Sequence, residues 1–232
     1  MVKATFNFGE GPLFLSLRRA RGHQMKKVKI YVTGPFQAGK SSIIHRLDPE
    51  SLSIDYEKRE FSTTVGFDLG ILFWNVDRGE ILTRSEYESK FSEYVYDEVW
   101  EIVLMGTPGQ KRFAPVREIL AKGAAGVLLV IDSTKIGQVG VALAIYEEVR
   151  AFLGDDAPMV ILANKQDLDS AADIELIRSI MKINPSQLYG TSAVDGTNVK
   201  EALISLLSMI RKREFEKALK TREELSTDRP FM

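Results

Sequence analysis

The sequence predicts an α/β fold, a doubly wound and mostly parallel sheet of six strands with helices on both faces and one antiparallel strand. Apolar runs of strand length alternate along the chain with amphipathic helical segments, which is the order of crossover connections between parallel strands. The runs at 126–131 and 158–163 are nearly continuous in apolar residues, as in strands that are buried on both faces. A chain of 232 residues is long enough for one such domain with additional segments.

The elements can be assigned in chain order from their hydrophobic periodicity. The predicted strands occupy residues 28–33, 67–75, 98–105, 126–131, 158–163 and 187–191. A helix at about 40–47 follows the first strand directly. Three later helices have apolar faces marked by Ala142 and Val149, by Ile174 and Met181, and by Val199 and Ile210. Asp169 or Ser170 is predicted to cap the second of these helices, and a hairpin is expected near the second and third strands.

The domain is predicted to carry extra residues at three places. We expect an N-terminal extension at 1–25, one domain over 26–212 and a charged helical tail at 213–232. Within the domain, Gly66 and Gly106 are separated by 39 residues. Two strands and a hairpin turn need only ~14–17 residues, which leaves about 20 residues for an insertion. We therefore predict an insertion at about 76–97.

The insertion contains aromatic residues at helical spacing. Tyr87, Phe91 and Tyr94 follow one another at intervals of four and three residues, which indicates a short amphipathic helix within 85–95. Our interpretation is that these aromatics pack on the edge of the sheet. Binding of a partner protein is the alternative.

The composition excludes several classes of chemistry. The chain has no cysteine, which excludes disulfides, Cys-ligated metals, thiol nucleophiles and lipid anchors attached to cysteine. The 31 Lys and Arg residues balance 32 Asp and Glu residues, so no overall charge favours nucleic acid or anionic lipid. No apolar run reaches the ~18–20 residues of a membrane helix. We expect a cytoplasmic protein with no stable membrane anchor and no nucleic-acid partner.

A phosphate-binding loop is predicted between the first strand and the first helix. The segment Gly34-Pro35-Phe36-Gln37-Ala38-Gly39-Lys40-Ser41 matches the pattern G-x-x-x-x-G-K-[ST]. Backbone N–H groups of such a loop point at a phosphate, aided by the positive N-terminus of the helix. Lys40 is expected to reach the β- and γ-phosphates, and the Ser41 hydroxyl is expected to ligate Mg²⁺. The predicted nucleotide contacts of this segment are Gly34, Gln37, Ala38, Gly39, Lys40, Ser41 and Ser42. Phe36 either closes over the γ-phosphate or packs outward.

A second motif, Asn164-Lys165-Gln166-Asp167, follows the strand at 158–163 and matches N-K-x-D. The Asp167 carboxylate is expected to accept hydrogen bonds from N1–H and the 2-amino group of guanine. Adenine offers neither group and would leave the carboxylate unpaired. Asn164 belongs to the same predicted site, and the stem of Lys165 can lie over the base. Backbone N–H groups at Ser192 and Ala193, after the last strand, can approach the guanine carbonyl. The motif therefore favours a guanine nucleotide.

With these motifs in this order, residues 27–212 resemble a Ras-like small GTPase, which is a P-loop NTPase of the G-domain type. The segment from Ser62 to Asp68 resembles the first switch, in which Thr64 would complete the Mg²⁺ shell and contact the γ-phosphate. Gly106-Thr107-Pro108-Gly109-Gln110 resembles the second switch. There, Gly109 would donate its N–H to the γ-phosphate and Gln110 would orient the attacking water. This form of the second switch most resembles the bacterial and archaeal MglA-like branch.

The second switch departs from the usual family pattern at Gly106, where the family carries an Asp that helps to hold Mg²⁺ through water. Asp68 is a candidate substitute, although a solvated position on a strand is the favoured interpretation. Arg59 is a candidate catalytic cation of the arginine-finger type, and a solvated loop arginine is again favoured. Arg112 has a similar status. Asp132 is expected to cap a helix start rather than to bind metal.

The resemblance implies a guanine-nucleotide switch that binds GTP and GDP with Mg²⁺ and hydrolyses GTP slowly. It implies Lys40 and Gln110 as catalytic residues, Ser41 and Thr64 as metal ligands, a protein effector and a Roadblock-type activating partner. One alternative is a pseudo-GTPase that holds the nucleotide as a structural ligand, which the missing second-switch Asp favours. The other is an ATP-using phosphotransferase, which the N-K-x-D motif disfavours.

Overall fold

The computed structural model describes residues 25–58, 63–107 and 114–227. Its strands are β1 (Lys26–Thr33), β2 (Leu52–Lys58), β3 (Thr63–Asn75), β4 (Glu80–Leu82), β5 (Val99–Gly106), β6 (Gly126–Asp132), β7 (Met159–Asn164) and β8 (Leu188–Gly190). Its helices are α1 (Lys40–Leu47), α2 (Arg84–Ser89), α3 (Ala114–Ala121), α4 (Val139–Leu153), α5 (Ile174–Met181) and α6 (Val199–Thr227). Short 3₁₀ turns occur at Phe91–Tyr94, Ile136–Gln138 and Pro185–Gln187.

The strands form one sheet in the order β2-β3-β5-β1-β6-β7-β8, with β4 paired to β3. β1 runs parallel to β5 and β6, and the pairs β6–β7 and β7–β8 are also parallel. β3 is antiparallel to β2, β4 and β5, so it is the one strand of the described sheet that runs against the others. The predicted doubly wound α/β class with one antiparallel strand is confirmed.

Within the described residues the sheet has eight strands rather than the six predicted. β2 is an edge strand and β4 has only three residues, so neither offers a long apolar run. β3 begins at Thr63, four residues before its predicted start, because β-branched Thr63, Thr64 and Val65 extend the pairing with β2. Helix α3 was also missed. The predicted cap of α5 is wrong, since Asp173 accepts the hydrogen bond from the Glu175 N–H.

The sheet buries a separate apolar layer on each face. On one face, Ile44 of α1 and Leu203 of α6 pack against Val32 of β1. On the other, Ile145 of α4 packs in the cluster that contains Tyr31. Because neighbouring residues of a strand point to opposite faces, Tyr31 and Val32 belong to different layers. This two-layer packing fixes the strand ends from which the functional loops project.

The predicted insertion contains β4, α2 and the 3₁₀ turn at Phe91–Tyr94. The expected helix over 85–95 is therefore divided into two short pieces. Tyr87 and Tyr94 are buried in a cluster with Phe73 of β3, and the Phe73 and Tyr87 rings stack with their centroids 4.4 Å apart. A capping box between Thr83 and Glu86 begins α2. The aromatics thus pack on the sheet, which confirms the favoured interpretation. They cover the face of β3 opposite to α1 and α6.

Helix α6 continues well beyond the hydrophobic core. Ile210 is its last residue in the core, and the helix extends to Thr227. Arg213 forms hydrogen bonds of 2.7–3.0 Å with both carboxylate oxygens of Asp156, and Glu214 pairs with Lys26. These ion pairs tie the first turn of the charged segment to the domain. Of the helices in the described parts of the chain, none has the length and apolar content needed to cross a bilayer.

Candidate nucleotide-binding site

The predicted site residues converge on the carboxyl end of the parallel strands. The phosphate loop follows β1, residues 133–138 follow β6, the N-K-x-D motif begins at the end of β7, and residues 191–198 follow β8. These strands run in the same direction, so their carboxyl ends share one edge of the sheet. That edge is where doubly wound sheets bind their ligands.

Two glycines give the phosphate loop its shape. Gly34 has φ +145°, and a Cβ built on it would lie 2.1 Å from the Val130 carbonyl oxygen. Gly39 has φ +99°, and its Cβ would lie 2.3 Å from Nδ2 of Asn164. The loop therefore lies against β6 and β7 at distances that exclude side chains at both positions. Gln37 also has a positive φ, 62°, and it belongs to the tight turn between these two glycines.

Lys40 is buried at the start of α1, and its side chain extends back over the phosphate loop to the loop's first residues. Nζ donates hydrogen bonds to the carbonyl oxygens of Gly34 at 3.1 Å and Pro35 at 2.8 Å. A cation that is fixed above a turn of this kind can hold an anion. Ser41 and Ser42 are exposed on the first turn of α1, and Ala38 is buried. Phe36 is 52% exposed, so its ring is not part of the core.

The Ser41 hydroxyl lies beside a carboxylate on β3. Ser41 Oγ donates a hydrogen bond of 2.6 Å to Oδ2 of Asp68, and Ser53 Oγ donates one of 2.7 Å to Oδ1. A hydroxyl and a carboxylate are hard oxygen donors, the type that Mg²⁺ prefers, so the donor set fits this ion. Thr64, the other predicted metal ligand, has its backbone paired with Glu57 in the β2–β3 hairpin. Its side chain lies outside the described part of the chain.

Asn164 joins the phosphate loop to the turn after β8. Its Nδ2 donates to the Ala38 carbonyl at 3.0 Å, and its Oδ1 accepts from the Ala193 N–H at 3.1 Å. The side chain is only 2% exposed. From sequence, Asn164 was predicted only as a member of the nucleotide site. In the structure its amide bonds to protein, so it positions two loops that were predicted to contact opposite ends of the nucleotide.

Lys165 is anchored to a buried carboxylate on the neighbouring strand. Its Nζ donates to Oδ2 of Asp132 at 2.6 Å, while the Thr134 N–H and hydroxyl both donate to Oδ1. Burial raises the pKa of the Asp132 carboxyl, but the hydrogen bonds from Lys165 and Thr134 outweigh it, so the net pKa is lowered. The predicted helix-capping role of Asp132 is wrong, because the 3₁₀ turn at Ile136–Gln138 begins after Lys135 without a side-chain cap and Asp132 instead accepts from Thr134 in the turn directly after β6. The ion pair between Asp132 and Lys165 is not predicted from the sequence. The two residues are close because Asp132 of β6 pairs in register with Asn164 of β7, the residue directly before Lys165.

The remaining base-site residues form the rim of the site. Asp167 is exposed, and Ala193 is half-buried. Ser192 is buried, and its Oγ accepts hydrogen bonds from the N–H groups of Val194 and Asp195 at 3.2 and 3.3 Å. The three remaining predicted residues, Arg59, Gly109 and Gln110, lie outside the described residues, as does Arg112.

Asp132→Asn is expected to lower the free energy of unfolding by about 1.5–3 kcal/mol, because it removes a charged hydrogen bond from a buried site. Denaturant unfolding at pH 7 measures this loss. Lys135→Met is the matched control, since Lys135 lies 3.7 Å from the same carboxylate and its side chain is 40% exposed, and a loss of at most about 1 kcal/mol is expected there. Equal losses in the two variants would contradict the role assigned to Lys165.

The effect of Asp132→Asn should depend on pH in a defined direction. Because the folded-state pKa of Asp132 is lowered, its contribution to stability is present above the ordinary unfolded value of ~3.9 and is lost as the pH falls through the folded value. The difference between the wild type and the variant should therefore be constant from about pH 5 to 7 and shrink below about pH 4.

The fold and the site together define a P-loop nucleotide-binding domain. A glycine loop between β1 and α1 presents a lysine, and a second motif follows β7 on the same edge of the sheet. The family model described as the Ras family matches residues 29–212. The chain belongs to the Ras family, whose members are small GTPases that bind guanine nucleotides with Mg²⁺ and bind effector proteins.

The chain is also similar to curated members of the Rab group. It is 26% identical over 178 residues to the Ras-related protein Rab-4A of Homo sapiens, covering 76% of this chain and 71% of that protein. Ras-related protein Rab-4B of Rattus norvegicus is 26% identical over 178 residues, with 76% and 72% covered. Rab-4A of Danio rerio is 25% identical over the same length and with the same coverage.

Proposed function

We infer that this protein is a cytoplasmic GTP-hydrolysing switch of the MglA-like type, which binds GTP and GDP with Mg²⁺ and hydrolyses GTP slowly. The observation that carries this proposal is the Asn164 side chain, which bonds to both the phosphate loop and the turn after β8. A triphosphate and a guanine base on one nucleotide would occupy the two halves of the site that this residue joins.

In the proposed reaction a water oxygen attacks the γ-phosphorus, and the bond between that phosphorus and the β–γ bridging oxygen breaks to give GDP and inorganic phosphate. Gln110 orients the water. Lys40 moves its hydrogen bonds from the loop carbonyls to the phosphates and stabilises the negative charge of the transition state. Mg²⁺, held by Ser41 and Thr64, would neutralise charge on the β- and γ-phosphates. Arg59 is a further candidate for this charge stabilisation.

The switch itself would consist of the two segments that contact the γ-phosphate. In the GTP form, Thr64 and the N–H of Gly109 hold this phosphate and order both segments, and loss of the phosphate releases them. A protein effector would recognise the ordered form. We propose a Roadblock-type protein as the activating partner, by resemblance to the MglA-like branch. Release of phosphate would then be faster in its presence.

Gln110→Ala is expected to slow single-turnover release of phosphate by on the order of 10²-fold, because the water loses its orienting group. The affinity for GDP should be unchanged. Gln187→Ala is a suitable control, since Gln187 precedes β8 at the opposite end of the strand from the site. Phosphate release from Gln110→Ala at the wild-type rate, with and without an added Roadblock-type protein, would refute the assigned role.

A second candidate function is a pseudo-GTPase that holds its nucleotide as a structural ligand. Gly106 favours it, because a glycine there provides no carboxylate to the metal. The same single-turnover measurement separates the two functions. A protein that binds GTP but releases no phosphate, alone or with a Roadblock-type partner, would support the second candidate and refute the first.

A further inference from the structure

We propose that Asp68 is the carboxylate of the magnesium site, where it positions the Ser41 hydroxyl and accepts a hydrogen bond from a metal-bound water. The inference deepens the proposed function and rests on it. Gly106, at the end of β5, has no carboxylate to contribute to the site. The inference assigns this function to Asp68 on β3, which lies beside Ser41.

The first supporting observation is the hydrogen bond from Ser41 to Asp68. When a neutral hydroxyl ligates a metal through an oxygen lone pair, it retains its proton, and that proton needs an acceptor. Oδ2 of Asp68 accepts the Ser41 proton at 2.6 Å. The carboxylate therefore determines how the hydroxyl lone pairs are directed. Outer partners that orient a metal ligand in this way contribute strongly to metal affinity.

The second observation is that Asp68 is itself held in place. Ser53 Oγ, on the neighbouring strand β2, donates to Oδ1 at 2.7 Å. One oxygen of the carboxylate thus faces Ser53 and the other faces Ser41. Each oxygen retains a further lone pair for another donor, which a metal-bound water can use. An accidental surface contact would not order both ends of the carboxylate.

The third observation is the packing around Gly106. Asp68 and Gly106 are direct partners in the antiparallel pairing of β3 with β5, so their side-chain positions share one face of the sheet. A Cβ built on Gly106 would lie 2.6 Å from Cδ1 of Ile44 and 3.2 Å from Oδ2 of Asp68. A side chain at 106 would displace Ile44 and crowd the carboxylate. The space beside Ser41 is therefore occupied from β3 and leaves little room for a residue from β5.

The chemistry of Mg²⁺ fits a site with so few protein groups. This ion is commonly held by one or two protein oxygens together with substrate phosphates and several waters, rather than by a cage of carboxylates. No cluster of three or more acidic or histidine side chains capable of holding a metal occurs within residues 25–58, 63–107 and 114–227. A single carboxylate next to Ser41 agrees with this arrangement.

The test measures the release of a fluorescent GDP analogue from the full-length protein as a function of free Mg²⁺. In the wild type, release should slow as Mg²⁺ rises, with a defined half-maximal concentration. Asp68→Asn keeps the size of the side chain and removes the charge. We expect its half-maximal Mg²⁺ concentration to rise by about 10–100-fold, with release at saturating Mg²⁺ returning toward the wild-type rate. A merely structural role would change release equally at all Mg²⁺ concentrations.

Glu88→Gln is the matched control, because it removes one carboxylate charge from the exposed surface of α2, which packs on the face of β3 opposite to α1. Its half-maximal Mg²⁺ concentration should change by less than about threefold. A wild-type Mg²⁺ dependence in Asp68→Asn would overturn the inference and leave the proposed function intact. Failure of the wild type to bind guanine nucleotides at any Mg²⁺ concentration would refute the proposed function itself.

A double-variant comparison keeps the test valid if Asp68→Asn lowers stability. If Asp68 acts through Ser41, adding Asp68→Asn to Ser41→Ala should shift the Mg²⁺ requirement by much less than it does in the wild-type background. The same fold-shift in both backgrounds would show that the two residues act independently and would overturn the positioning role.

Discussion

Asp167→Asn is expected to lower the affinity for GDP by on the order of 10²–10⁴-fold. The Asp167 carboxylate is proposed to accept two hydrogen bonds from guanine, at N1–H and at the 2-amino group. A hydrogen bond to a charged group contributes about 1.5–3 kcal/mol, and each 1.4 kcal/mol is tenfold in affinity. An asparagine retains one acceptor but presents its own amide N–H to the 2-amino group, so the second interaction becomes a clash of two donors. Competition binding with GDP, IDP, XDP and ADP measures the change.

The other bases make the expected pattern specific. Hypoxanthine lacks the 2-amino group, so the wild type should bind IDP about 10–10²-fold more weakly than GDP, and the variant should lose this preference. Xanthine carries a carbonyl at position 2, which can accept from the new amide, so XDP should gain affinity. Asp169→Asn is the matched control, because Asp169 is exposed just beyond the motif. Unchanged preference for GDP over IDP in Asp167→Asn would mean that this residue does not read the base.

Gly34→Ala is expected to destabilise the protein by about 3–6 kcal/mol, through backbone strain and steric overlap together. Gly34 has φ +145°, which L-residues rarely adopt, and the added Cβ would lie 2.1 Å from the Val130 carbonyl oxygen. That oxygen belongs to strand β6, which is buried throughout and cannot move aside without disturbing the sheet. The variant should also lose nucleotide binding, because the loop cannot keep its path between β1 and α1.

Alanine substitutions at two other glycines distinguish the cost of backbone strain from the cost of steric overlap. Gly79 has φ +69° and no atom within 4 Å of a built Cβ, so Gly79→Ala should cost only about 1–2 kcal/mol. Gly137 also has open space around its Cβ, and its φ lies outside the strained range, so Gly137→Ala should change stability by less than about 1 kcal/mol. Denaturant unfolding should rank the losses in the order 34, 79, 137. A loss at Gly34 no larger than that at Gly79 would show that the loop can move away from β6.

The local part of the site was predictable from sequence, while the contacts between its loops were not. The phosphate loop and the N-K-x-D motif each lie within one continuous segment, and both follow strands that are apolar runs. The bonds from Asn164 to Ala38 and from Lys165 to Asp132 join residues 126 and 33 positions apart. They depend on which strands are neighbours and in what register, and hydrophobic periodicity does not encode this.

The differences between the predicted and the observed strands also have physical causes. β2 alternates apolar and polar residues, which is the pattern of a half-buried strand, but it contains no continuous apolar run of the kind used to place the other strands. β4 has only three residues, too few to show any periodicity. From sequence alone a solvated strand position is favoured for Asp68, because its two serine partners come from separate segments, α1 and β2. Such a residue can be recognised only when the pairing of β3 is known.

The bonds of Asn164 also bear on how a nucleotide leaves the protein. One buried side chain restrains both the loop predicted to hold the phosphates and the turn predicted to approach the base, so the two regions share a single restraint. Loosening either region weakens the hold on the other, and their opening is thermodynamically coupled rather than independent. In the proposed nucleotide-bound state, release of the phosphates and release of the base would therefore be energetically linked through Asn164.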